Sequence, residues 1–283
     1  MARTELIVSL GQNVYSVERP WGEIPDDLKL FWVSDVGVDS QDRVYLFQRT
    51  NPPVIVFDSS GKYLRSWGSG TIIDPHGIFC IGERILLVDR DAHQIQEYDT
   101  YGNLQRTLGE RHRPSFQAPF NAPTDVAVAA NGDIYVADGY GNSTVHWFSP
   151  EGKLRRTWGK PGDGPGEFTT PHAVRVHPDG RVLVADREND RVQVFTSEGE
   201  YLDQWRDLYH PMDLYIDKSG MVYVSDQVPR LSMLSAEGKL LGRCRPSNFN
   251  SHGVFGDSRG NFYMAETPPE DRLTRLALLP QRS

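Results

Sequence analysis

The chain repeats itself. Polar turns recur along its 283 residues as DSQD (39–42), AANG (129–132), HPDG (177–180), DKSG (217–220) and DSRG (257–260). Each precedes a short apolar strand: VYLF from Val44, IYVAD from Ile134, VLVAD from Val182, VYVSD from Val222 and FYMAE from Phe262, with ILLVD from Ile85 as the matching run in the second unit. A further strand then leads to a second turn, DSSG (58–61), DTYG (99–102), SPEG (149–152), TSEG (196–199) or SAEG (235–238). The fourth strand closes on Trp67-Gly68, Leu108-Gly109, Trp158-Gly159, Trp205-Arg206 or Leu241-Gly242. Self-similarity at a fixed period marks stacked units that cannot bury their apolar faces alone. Alternating Tyr, Val, Leu and Phe with no competing helical period makes each unit a small sheet.

The ends of the chain set the count. The last unit has an innermost strand (252–256), a second (262–266) and a third (273–278), and lacks a fourth. Residues 13–23, NVYSVERPWGE, match the strand-four segment GKLRRTWGK at 152–160. The chain is therefore predicted to be all-β: a six-bladed propeller of four-stranded blades forming a single domain over 1–283, its last blade closed by the N-terminal strand. About 47 residues per blade suits that architecture, and a closed ring leaves no open edge between first and last blade.

Composition narrows the class. Thirty Lys and Arg against 38 Asp and Glu leave a formal charge of −8, and no basic run occurs. Nucleic acid and anionic membrane are therefore not expected partners, since both are bound through clustered cations. The apolar run from Leu6 to Leu10 is too short for a signal peptide or a span. Cys80 and Cys244 lack metal spacing and do not make a disulfide framework, so a reducing, cytoplasmic setting is expected. Nothing in the sequence speaks to oligomeric state.

The repeat also converts alignment into geometry. The innermost strands of a propeller line its channel, and their first positions read Ser34, His76, Thr124, His172, Met212 and His252. Histidines in alternate blades point at a common centre. With 8 His in the chain, three at one preset alternating set by chance is on the order of 2 in 100,000. Three imidazoles with an open fourth position suit a catalytic zinc, although other divalent transition metals accept imidazole too. The second strand returns to the same mouth, so Arg49, Arg90, Tyr140 and Arg187 just beyond it should surround the metal. The acids that end most second strands, Asp89, Asp138, Asp186, Asp226 and Glu266, repeat too regularly to be chemistry and read as scaffold. Asp35, Asp125 and Asp213, which follow the ring position in the other three blades, should turn away and pair with neighbouring backbone.

These units resemble the NHL repeat. The segments DGYGNS (138–143), FTTPHAVRV (168–176), ADRENDRVQVF (185–195) and DAHQI (91–95), with the alternate-blade histidines, are similar to peptidyl-α-hydroxyglycine α-amidating lyases over nearly the whole chain. The resemblance implies zinc on His76, His172 and His252, Tyr140 as the catalytic tyrosine, and Arg49 and Arg187 as active-site arginines. It implies a lyase that cleaves a hydroxyglycine-like substrate into an amide and glyoxylate; a small anionic α-hydroxy acid or hydroxyglycine-like compound is expected here, contacted by Arg49, Arg187, Arg90 and Asn250, of which Arg90 stands where the family has an apolar residue and Asn250 where it has a Met. Gly253 replaces the family's Asp after the third histidine, which leaves its structural calcium in question. Gly141 and Val194 replace disulfide cysteines. A non-catalytic NHL propeller that binds protein or ligand is the alternative; a calcium lactonase would place carboxylates and amides where this ring has histidines.

Overall fold

The computed structural model describes residues 6–247 and 250–280. Six antiparallel sheets follow one another around the chain, with innermost strands Val33–Val38, Pro75–Ile81, Asp125–Val128, Pro171–Val176, Pro211–Ile216 and Ser251–Gly256. This is the expected six-bladed propeller. Among the described residues there is no α-helix, hence none long and apolar enough to cross a membrane, and only a 3₁₀ turn at Arg187–Asn189.

Asn13–Glu18 pairs with Arg272–Leu278 and so completes the sixth blade, and Trp21 extends the seam by donating its backbone N–H to Leu273 at 2.8 Å. Two details differ from the sequence reading. Leu6–Leu10 is a fifth strand on that blade, paired with Asn13–Glu18. It forms because Leu10 is buried against Tyr223, Leu231 and Cys244 of the fifth blade. In the fifth blade the closing position belongs to Cys244, which pairs with Leu231 as Trp205 pairs with Val192; Leu241-Gly242 falls inside the strand instead. Both cysteines are free and buried.

The core lies between blades. One cluster joins Val36, Leu46 and Ile55 of the first blade to Tyr263, Ala265 and Leu273 of the sixth, and others repeat that pattern around the ring. Four of the repeated acids hold the loop that enters the innermost strand of their blade, whereas Glu266 bonds Arg272 and Thr274. Asp89 accepts from the backbone of Ile73 and Asp74, Asp138 from Asn121, Asp186 from Thr169 and Asp226 from Tyr209. Gln48 does the same for Phe31 in the first blade.

The channel is nearly filled, because Asp35, Asp125 and Asp213 pair with neighbouring backbone as expected but do not turn away: they line the axis beside the histidines, the strand having slipped register just before Asp35 and Asp213. Asp35, Asp125 and Asp213 each cross to the next blade, accepting from the backbone N–H of Ile78 (2.8 Å), Val174 (2.9 Å) and Val254 (2.8 Å). A guanidinium joins two of them: Arg175, itself buried, bonds Asp125 and, at 2.9 Å, Asp213. Burial pushes all three carboxyls up, and mutual repulsion adds to it at Asp35. Burial alone would lower Arg175, but the carboxylates outweigh it and hold it charged. Beneath, Arg175 sits 5.5 Å from the Phe79 ring, and Phe79, Phe255 and Tyr215 pack edge to face or tilted. Between the Asp and His rings remains a cavity of about 10 Å³, room for a single water-sized occupant.

Removing one partner from a buried charge cluster leaves the others uncompensated, at a cost of about 3–5 kcal/mol. Arg175→Met should lose about that much stability near neutral pH. With the cation gone the carboxyls rise further, so they are protonated in acid and the folded state pays only as pH rises through their folded values. Urea unfolding should therefore show a larger deficit at about pH 8 than at about pH 5.5.

Candidate metal and active site

A local backbone irregularity aims the histidines. The register between first and second strands slips across Pro75/Ile78, Pro171/Ala173 and Ser251/Gly253, and the residue it passes over is His76, His172 or His252. Such bulges re-aim a side chain next to a site. The same slip passes over Ser34 and Met212, where an aspartate follows; after the histidines the following residue is small. A Cβ on Gly77 would lie 2.9 Å from the Thr124 carbonyl oxygen, and one on Gly253 only 2.0 Å from Asp35 Oδ1. Thus each aspartate fits beside a glycine or alanine of a histidine blade.

The three imidazoles converge, with ligand atoms all within 4.8 Å of one another. His76 Nδ1 donates to the Thr124 carbonyl and His172 Nδ1 to the Met212 carbonyl, both at 2.6 Å, while His252 is bonded to the Ser34 backbone. A proton on Nδ1 leaves the Nε2 lone pair free, the tautomer a metal requires. Burial lowers all three from the ordinary histidine range: His76 further through its two partner imidazoles, His172 through His252 and Arg187, and His252 to about 3 with Arg49 contributing. They are neutral donors.

Tyr140 completes the ring. Its hydroxyl lies 3.0 Å from His76 Nε2 and 3.2 Å from His172 Nε2, and accepts from Arg187 Nη1 at 3.3 Å. Arg90 and Arg187 flank the phenol at 5.3 and 5.4 Å from its centroid. The arginines divide. Arg90 is held by Asp74 and Asp91, so its charge is compensated. Arg187 Nε bonds Glu188 at 2.7 Å. Arg49 uses Nε for the Pro75 carbonyl (3.3 Å) and Asp74 (3.2 Å), so among the described residues its outer Nη edge has no protein hydrogen bond. Asn250 is partly buried, two positions before His252. The structure thus gathers His76, His172, His252, Tyr140, Arg49, Arg90 and Arg187 at one mouth.

Three contributors were missed. Asp74, buried, braces both Arg49 and Arg90. Trp32 stacks on Arg49 at 5.0 Å. Arg175 underlies the ring. Arg175 had a signal: three positions after the ring residue the blades carry Gly37, Phe79, Ala127, Arg175, Tyr215 and Phe255, and one charge among them stands out.

A model of the NHL repeat matches residues 120–148 and 168–195. Human NHL repeat-containing protein 3 is 32% identical over 223 residues, covering 71% of this chain and 64% of that protein. Peptidyl-α-hydroxyglycine α-amidating lyase 1 of Drosophila melanogaster is 30% identical over 299 residues, covering 92% of this chain and 54% of the fly protein. The chain therefore spans less than two thirds of the length of these curated relatives. Among solved structures, a gluconolactonase of Xanthomonas campestris superposes with a TM-score of 0.72 at 15% identity, covering 95% of this chain and 91% of the other, a likeness of fold alone. The chain is a six-bladed propeller carrying NHL repeats, and its sequence resembles both NHL repeat-containing protein 3 and the peptidyl-α-hydroxyglycine α-amidating lyases.

Proposed function

We propose that the chain is a metal-dependent lyase acting on an α-hydroxyglycine-like or small α-hydroxy acid substrate, releasing an amide or other leaving group and a glyoxylate-type acid. The observation that carries this reading is the Tyr140 hydroxyl lying between two of three converging, neutral histidines. The donor set fits zinc, or another divalent transition metal, on His76, His172 and His252: three nitrogens, each fixed by a second-sphere hydrogen bond, with one side open. Bound there, zinc would supply Lewis acidity toward the substrate hydroxyl. The channel does not fit a structural calcium, because Gly253 offers no carboxylate and Arg175 already occupies Asp125 and Asp213.

The residues of the chain have distinct tasks. The free edge of Arg49 takes the substrate carboxylate as a bidentate pair and fixes the carbon that bears the hydroxyl. Tyr140 takes the hydroxyl proton, and Arg187, donating to its oxygen, supports the charge that develops. The C–O bond becomes a carbonyl as the C–N bond breaks. Its electron pair leaves on nitrogen, which regains a proton to depart as the amide. Atoms balance with no water, oxidant or separate nucleophile.

Purified protein supplied with zinc should bind it stoichiometrically by elemental analysis, and His172→Ala should not. Tyr140→Phe should keep its metal and lose about 10²–10⁴-fold in kcat for keto-acid release. Failure of the wild type to hold a transition metal would favour the non-catalytic binding propeller instead. A pH dependence follows for the metal-free protein. Because the folded histidines titrate below the unfolded value of about 6.5, the unfolded chain binds more protons on acidification. Their contribution is complete above that value and drains away as the pH falls, that of His252 toward about 3. Stepped-pH urea unfolding should show this acid loss, and it should be shallower in His252→Gln.

A further inference from the structure

The turns at the far ends of the innermost strands, away from the histidines, repeat one hydrogen-bond scheme, and in the fifth blade that scheme is incomplete. In DSQD (39–42), DKSG (217–220) and DSRG (257–260) the leading aspartate accepts with Oδ1 from the backbone N–H groups two and four positions on. Its Oδ2 accepts the tyrosine hydroxyl six positions on, from Tyr45 (3.0 Å), Tyr223 (3.1 Å) or Tyr263 (3.1 Å). Two of the three turns give Oδ2 a second donor four positions on: Arg43 Nε at 2.6 Å for Asp39 and Asn261 Nδ2 at 2.7 Å for Asp257. The fifth blade has Met221 there. Among the described residues Asp217 Oδ2 therefore accepts from Tyr223 alone, and Asp217 has no ion pair, even with the exposed Lys218 beside it. Cavities of about 690, 610 and 130 Å³ meet at this aspartate. Asp39, Asp42 and Asp257 also line the largest, but Arg43, Ser258 and Asn261 already serve them.

We infer that Asp217 anchors a second ligand site, on the face opposite the histidines, and that its ligand is a small organic cation: an amidinium or guanidinium carried on a flat apolar body. Such a group supplies to Oδ2 the donor that Arg43 supplies in the first blade, and a planar cation makes the stronger, charge-assisted form of that bond. The body has a wall to pack on. Tyr215 and Phe255, ring centroids 5.0 Å apart, both line the largest cavity, and their rings take an apolar or cationic neighbour equally well. A space of this size, mostly apolar with one uncompensated polar group, is what holds a small molecule. The same two rings belong to the stack that floors the channel beneath Arg175, so the site is walled off from the histidines and does not depend on the lyase reading.

The test compares benzamidine with benzamide, a neutral molecule of nearly the same shape, by calorimetry on the whole chain at low salt. Wild type should bind benzamidine about tenfold or more tightly. Asp217→Asn keeps an accepting oxygen for the turn and removes the charge, so it should erase that preference. Tyr215→Leu should weaken both compounds. Met221→Arg supplies the missing donor from within the chain and should abolish benzamidine binding. Should that variant fail to fold, Met221→Asn, which copies the sixth blade, carries the same comparison. Absence of benzamidine binding, equal binding of the two compounds, or a preference that persists in Asp217→Asn overturns the site.

Discussion

The structure turns on how buried charge is accommodated at the propeller axis. Three carboxylates and a guanidinium occupy space that a propeller could fill with aliphatic side chains, and ions in such a place persist only when each is paired and hydrogen-bonded. Here the pairing is also the assembly rule. An aspartate from each odd blade crosses to the backbone of a histidine blade, so charge satisfaction and blade registration are one contact. The glycines or alanine following the histidines leave the room these carboxylates need. The alternation of histidine-plus-small with another-residue-plus-aspartate is therefore a single design, in which the histidines are seated by the residues beneath them.

That interdependence explains what could be read from the sequence. The blades, their number and the N-terminal closure follow from turn and strand periodicity, which is local chemistry repeated. The histidine ring was legible because a repeat gives aligned positions a common axis. The bulge that carries each histidine toward that axis was not, since strict alternation of strand faces is all that a pattern of side chains conveys. Asp74 and Trp32 were invisible for a different reason. They lie in loops that differ between blades, and their partners, Arg49 and Arg90, belong to turns far along the chain or in another blade. Leu6–Leu10 was passed over because a short apolar run says nothing of the neighbouring blade that shelters it.

The acidity of the whole molecule and the character of the mouth also part company. A formal charge of −8 describes a surface dominated by turn aspartates, many of them bonded to their own loop backbone. At the mouth, three guanidiniums face inward against Asp74, Asp91 and Glu188, and the histidines add no charge of their own because burial keeps them neutral. The charges there balance one for one, so what sets the mouth apart is the outer edge of Arg49, which Asp74 and the Pro75 carbonyl leave unshared, and not a net positive field.

The stack of Arg175 on Phe79, with Tyr215 and Phe255 below, has a kinetic meaning as well as a structural one. It turns a fold famous for its central tunnel into a well with one opening. Traffic through such a well is sequential: the fragment nearer the rim departs first, and the one seated deeper waits behind it. On the proposed lyase reading, any deep-seated fragment that accumulated in solution would compete with fresh reactant for the same seat, so the floor of the channel would help set how the protein responds to its own products.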